Sequence, residues 1–305
     1  MSIRTEKYLT GVAFMLLSAF CIALNALSGK QLLGVFFLPI LIFLRFFFPA
    51  LFLGVFNQFT HRFPKKIKNF KLYVYRAIFM LSCQIFFLYY LVNGSVFNAT
   101  LLFMTSHLFV PLISRVIYHK AISKRRWLSL IVGFLGVTLI FQPTADVIHW
   151  QAFLGLSAGL LNAFSQLVQH KQSNTEDSPT VITCISFAFA SMIALIMLIP
   201  VFLIYPMHLL IQVHVLSYTR LWVFSSLLIF TSIANQLFRS HAYRHVDKAA
   251  ILSPFAYSVI LFSGIMDWLV YNKVPNILAC IGGVLIFCST LFILVNNESS
   301  KALKH

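Results

Sequence analysis

Acidic side chains are scarce in this chain: seven Asp and Glu stand against 23 Lys and Arg in 305 residues, a formal net charge of +16. Charged residues of either sign make up only 10% of the sequence, against about 25% in soluble globular domains, which excludes that class. Glycine-rich phosphate loops, paired-histidine metal motifs and nucleophile elbows do not occur in it, so no recognisable catalytic set is present. The cysteines Cys21, Cys83, Cys184, Cys280 and Cys288 lack CxxC spacing and fall in apolar stretches. They read as reduced packing residues, with no metal site and no cofactor implied.

Hydrophobic length is what the chain does have. Sixty per cent of it is hydrophobic, with a mean hydropathy of +0.88. A helix needs about 20 apolar residues to cross the hydrocarbon core. Ten such stretches lie at residues 9–28, 33–56, 72–92, 97–118, 127–142, 152–169, 180–204, 221–240, 249–271 and 276–295. Their apolar runs are continuous, whereas barrel strands alternate over about ten residues. The expectation is an all-α integral membrane protein, its first span retained because no small-residue cleavage site follows it.

The ten stretches divide into two similar halves, expected at residues 1–146 and 147–305. Leu16-Leu17-Ser18-Ala19-Phe20 recurs as Leu160-Leu161-Asn162-Ala163-Phe164, each copy early in the first long span of its half. The fifth span holds Gly133 and Gly136, the tenth Gly282 and Gly283, and small residues let membrane helices approach closely. Helix packing is the first reading of these glycines. With five spans per half, an odd number, the second half enters the membrane inverted relative to the first, as in many secondary transporters.

Positive charge gives the orientation. With the N terminus in the cytoplasm, 19 of the 23 Lys and Arg fall on that side. They include the run from Arg62 to Lys71 with Arg76, the cluster from Arg115 to Arg126, and Arg239, Arg244 and Lys248. Lys30, Arg220 and Lys273 fall outside, and Arg45 lies within a span. Loop Lys and Arg set orientation, so both termini are expected in the cytoplasm. The same short basic loops would attract anionic lipid at that face; they do not imply nucleic-acid binding. Oligomeric state is left open by the residues, a homodimer included.

An ordered set of positions resembles the EamA branch of the drug/metabolite transporter superfamily. They are Asn25 and Lys30 ending span one, Arg45 in Leu44-Arg45-Phe46-Phe47-Phe48, Tyr89 in span three, Ala99-Thr100 opening span four, Arg126-Trp127, Gly133-Phe134, Gly136 and Pro143 around span five, and Pro254 with Tyr257 in span nine. The spacing from Asn25 to Arg45, and the stretch from Ala99 to Pro143, are similar to members that take up S-adenosylmethionine in intracellular bacteria. The resemblance implies a carrier in the bacterial inner membrane, moving a small metabolite by alternating access. It also implies a cavity built from spans one to four and six to nine, with spans five and ten as supports. Family members often carry a Pro midway along span four and a Glu closing spans four and nine; here His107, Lys120 and Lys273 stand at those places. Small four-span relatives use a span-one carboxylate for proton-coupled export, and span one here has none. An intramembrane enzyme, or a membrane assembly subunit that transports nothing, is the alternative.

Ionisable groups inside spans cost about 2.5–3.5 kcal/mol each at the bilayer centre and are functional candidates by default. Arg45 reads as a substrate or carboxylate binder, or as a structural or snorkelling side chain. Asp267, the one acidic residue placed within a span, lies toward the outer half with Arg45, so the two either pair or line one outward path. His107 is a candidate for proton coupling, or a hydrogen-bonded structural residue. Tyr89, Tyr90, Tyr257 and Trp268 offer aromatic faces to a cationic ligand such as a sulfonium, or are packing and interfacial residues. Asn25, Gln84, Asn162, Gln166, Asn235 and Gln236 are costly to bury unless satisfied. The expected transport pathway therefore holds Asn25, Arg45, Tyr89, His107, Tyr257, Asp267 and Trp268.

Overall fold

In the computed structural model the apolar stretches are helices, and residues 3–61, 69–118, 124–141, 150–173, 177–204, 218–245 and 252–302 are described. Spans one to three are α1 (Ile3–Leu32), α2 (Leu38–Phe59) and α3 (Phe70–Asn93). Span four is two helices, α4 (Val96–Met104) and α5 (Ser106–Tyr118), and span five is α6 (Lys124–Phe141). The second half follows with α7 (Trp150–Ser173), α8 (Pro179–Ile204) and α9 (Tyr218–Arg244). Its ninth span is α10 (Ser253–Ala256) and α11 (Ser258–Tyr271), and its last is α12 (Ile277–Ala302). Helices suit a bilayer because each satisfies its own backbone hydrogen bonds where no water can.

Among the described residues, six segments are long and apolar enough to cross a membrane unaided: those of α1, α2, α3, α4 with α5, α8 and α9. Shorter apolar helices lie in α6, α11 and α12. The 24-residue α7 is missing from both groups for a physical reason. Its Asn162, Ser165, Gln169 and Gln172 are buried against other helices, so they lower its hydropathy without meeting lipid.

Two expected spans are interrupted. Span four breaks at Thr105, whose hydroxyl donates to the Leu102 carbonyl at 2.6 Å. Ser95 caps the start of α4, accepting from the Asn98 N–H at 3.0 Å. Span nine breaks at Tyr257. At its other end Asn272 adopts φ 52° and ψ 26°, a left-handed geometry that Asn tolerates better than most residues and that terminates helices.

Pairing between the halves is reciprocal. The helix α1 packs chiefly on α9, and α3 packs chiefly on α7. The other strong pairs include α2 with α8, α6 with α12, α3 with α8, and α4 with α11. A further contact joins α1 to α11, and another joins α7 to α4 and α5. The α6–α12 seam depends on glycine: a Cβ on Gly136 would stand 2.6 Å from the Gly282 carbonyl oxygen, and one on Gly133 would stand 2.7 Å from Ser289 Oγ. Outward faces carry exposed apolar side chains, among them Phe52, Leu203, Trp222, Phe230 and Leu261, an arrangement suited to contact with lipid tails.

Candidate functional site

Helical spacing gathers polar groups at the centre of the bundle. Ile22, Asn25 and Ala26 lie at i, i+3 and i+4 on α1, and Met80, Cys83, Gln84 and Phe87 continue one face of α3; residues at those spacings share a helix face. Opposite them α7 presents Asn162, Ser165 and Gln169, and α9 presents Asn235, Gln236 and Arg239. Arg45 from α2 and Phe103 from α4 complete the wall. The space enclosed is ≈ 50 Å³, room for a water or two, whereas small-molecule pockets are about 300–1,000 Å³. As it stands, this space is too small to hold a metabolite.

Three hydrogen-bond clusters hold this interior. In the first, Arg45 donates through Nη2 to Asn25 Oδ1. Asn25 Nδ2 in turn faces the Leu228 carbonyl at 3.0 Å, Thr231 Oγ1 at 2.9 Å and Ser232 Oγ at 2.8 Å, which ties α1 and α2 to α9. In the second, Arg76 of α3 donates to Gln172 Oε1 at 3.1 Å and to Gln236 Oε1 at 3.2 Å. Gln169 also donates to Gln236 Oε1, at 3.2 Å. In the third, Ser106, the first residue after the break in span four, accepts from Asn162 at 3.2 Å and from Gln166 at 3.3 Å. The broken helix is thus anchored to α7 at its break.

Of the seven residues expected on the pathway, Asn25 and Arg45 line the central cavity, 2% and 7% exposed. His107 lines a smaller neighbouring space with Ser18, Gln166 and Arg239. Its Nδ1 is 3.2 Å from the Met104 carbonyl, and its ring lies 5.1 Å from that of Tyr257. Tyr257 is buried at the break of span nine and does not line the central cavity. Tyr89 and Trp268 turn away from it, 49% and 56% exposed. None of the four aromatics expected around a cationic ligand, Tyr89, Tyr90, Tyr257 and Trp268, is in the cavity wall, whose aromatic members are Phe87 and Phe103.

Asp267 does not pair with Arg45. Its Oδ2 accepts from the Phe97 N–H at 2.7 Å, capping the N-terminal turn of α4, and the rest of the carboxylate is buried. Lys30 is within electrostatic reach of it, and donates to the Gly94 carbonyl at 2.6 Å with its ammonium 4.8 Å from the centre of the Tyr271 ring. These groups join α1, α11 and the turn before α4, and they form a site of their own.

Arg76 and Arg239, read from sequence as cytoplasmic anchors, are 1% and 9% exposed inside the bundle. The helices outrun the apolar stretches: α3 starts at Phe70 and α9 ends at Arg244. The signal for Arg239 was its spacing from the polar pair Asn235 and Gln236, four and three residues earlier on one helix face. The loop residues 62–68 and 119–123, including Lys120, lie outside the described residues, as does Pro143.

Residues 9–142 match the EamA-like transporter family. The S-adenosylmethionine uptake transporter of Rickettsia prowazekii is 23% identical over 300 residues, 98% of this chain and 97% of that protein. The riboflavin transporter of Rhizobium johnstonii is 27% identical over 201 residues, 66% of this chain and 62% of its own length. One crystal structure superposes with a TM-score of 0.63 at 12% identity, over 97% of this chain and 98% of the other. At that identity it shows the fold alone. The family resemblance read from the residues holds, and with it a multi-pass location in the cell membrane.

Proposed function

We propose that this chain, an EamA-type membrane transporter of small metabolites, works by alternating access between two inverted five-span halves, residues 1–146 and 147–305. Both termini would lie in the cytoplasm, with the basic loops against anionic lipid. The reciprocal packing supports this. A two-fold relation that exchanges spans one to five with six to ten turns the α1–α9 pair into the α7–α3 pair. It also maps α2–α8, α6–α12 and α4–α11 each onto itself, and it maps α3–α8 onto the lighter α2–α9 contact. Both interrupted spans, four and nine, are equivalents under the same relation, and discontinuous helices are common at transporter binding sites.

The observation that carries the function is the small polar cavity between the halves, lined from both by Asn25, Arg45, Asn162, Gln169, Gln236 and Arg239. Polar groups buried there cost free energy that a purely structural bundle would avoid with apolar side chains. S-adenosylmethionine is the first candidate, from the relative matched along its whole length; riboflavin is the second. The test is counterflow: proteoliposomes preloaded with unlabelled S-adenosylmethionine should accumulate the labelled compound transiently, and empty liposomes should not. If neither candidate, nor any amino acid or nucleoside, exchanges through protein shown to be folded, the carrier reading fails.

A further inference from the structure

Resting on the carrier reading, we propose that the cavity recognises its metabolite through an anionic oxygen group, carboxylate or phosphate, held by Arg45 and Arg239. Both guanidinium groups line the same small space, and both are more than nine-tenths buried. Among the described residues, no acidic side chain lines the cavity. Two carboxylates accept hydrogen bonds outside this cavity: Asp177 from the Tyr73 hydroxyl at 2.7 Å, and Asp267 through Oδ2 from the Phe97 N–H. Arg45 spends Nη2 on Asn25, while its buried Nη1 has no hydrogen-bond partner.

Cations taken out of water without a counter-charge are costly to bury, and removing the counter-charge of a buried pair is strongly destabilising. A protein that keeps two guanidinium groups in one water-sized cavity leaves that charge for something else to neutralise. The guanidinium fork matches carboxylate and phosphate in a bidentate geometry that Lys does not reproduce. An organic cation without an anionic group would meet like charge there, and would find only the Phe87 and Phe103 rings in the wall, not the Tyr and Trp faces that recognise cations best. The chemistry therefore favours a zwitterion or an anion over a simple cation.

The test compares pairs of compounds that differ in the oxyanion alone, by thermal shift and equilibrium binding to purified wild-type protein. S-adenosylmethionine is set against its decarboxylated analogue, riboflavin against riboflavin 5′-phosphate, and choline serves as the cation without an anion. The expected result is binding at least tenfold tighter for the oxyanion-bearing member of at least one pair, and none for choline. A carboxylate-only preference, or a phosphate-only one, identifies which oxyanion is used. In Arg45→Gln the preference should disappear, and in Arg45→Lys it should weaken; the wild-type comparison stands even if neither variant folds. Equal binding within both pairs, or no binding by any oxyanion compound, overturns the proposal. Counterflow of a compound without an anionic group would leave the carrier reading intact while removing this one.

Discussion

Arg45 of α2 and Asn25 of α1 form a charge-assisted hydrogen bond in the middle of the bundle, and the amide nitrogen of Asn25 passes the connection on to α9. One asparagine thus links a cavity cation to the opposite half of the molecule. Replacing it affects binding and assembly in different ways according to what takes its place.

Asn25→Ala would leave Arg45 Nη2 without its buried acceptor, worth about 1–3 kcal/mol when orphaned, while Thr231 keeps its bond to the Leu227 carbonyl at 2.7 Å. Thermal unfolding in detergent should show a large loss. Asn25→Asp would place a carboxylate on Arg45 and occupy the cation that the metabolite is expected to use. Its expected signature is a melting temperature above that of Asn25→Ala, combined with lost uptake. Uptake at the wild-type rate in Asn25→Asp would remove Arg45 from the binding step.

Asp267 accepts the Phe97 N–H at the start of α4 and lies within electrostatic reach of Lys30. An asparagine keeps an acceptor there and an alanine does not, so Asp267→Ala should be less stable than Asp267→Asn by about 1–2 kcal/mol, the range for losing a helix N-terminal acceptor. Melting curves of the two variants decide this. Equal stabilities would mean that the carboxylate does not support α4.

His107 is placed by the Met104 carbonyl one turn earlier and stands outside the central cavity. His107→Asn retains a donor for that carbonyl. It should keep uptake, with an unchanged pH profile between pH 5.5 and 8. A profile that flattens in His107→Asn would instead assign proton coupling to the imidazole.

Glycine at the α6–α12 seam tests the supporting role of spans five and ten. In Gly136→Ala the new methyl meets the Gly282 backbone carbonyl at 2.6 Å, and backbone does not yield cheaply. Overpacking of this kind costs about 1–3 kcal/mol. Gly54→Ala is the control, since its nearest neighbour would be Cys184 Sγ at 3.9 Å, an ordinary contact. The first variant should melt lower and still bind substrate; the second should match wild type.

Trp268→Leu and Tyr89→Leu remove aromatic faces that point out of the bundle. Both should bind and transport as wild type does. A tenfold loss of affinity in either would restore the aromatic site expected from sequence.

The helices were legible because continuous apolar runs carry their own length signal, and the ten expected stretches each fall on a helix or a broken pair of helices. The breaks at Thr105 and Tyr257 were not, since a run apolar on every face reads the same with or without an interruption. Facing was the harder problem. A buried helix has no polar outer side to set its phase, so Asn25 and Trp268 looked equally plausible on the pathway although one points in and the other out. Arg76 and Arg239 illustrate a separate confusion. Near the end of a span a basic residue serves topology or the interior, and only neighbours from other helices, Gln172 and Gln236 for Arg76, distinguish the two.

Because α1 packs mainly on α9, the polar groups of the first spans are synthesised long before their partners. Asn25 and Thr231 are 206 positions apart, about 10–40 s of translation at about 5–20 residues per second. Until α9 emerges, Asn25 and Arg45 must be sheltered by the insertion machinery, or by temporary bonds to each other. A message truncated after the fifth span would therefore deliver a membrane-bound half whose exposed amide and guanidinium invite degradation or association with a second half made elsewhere.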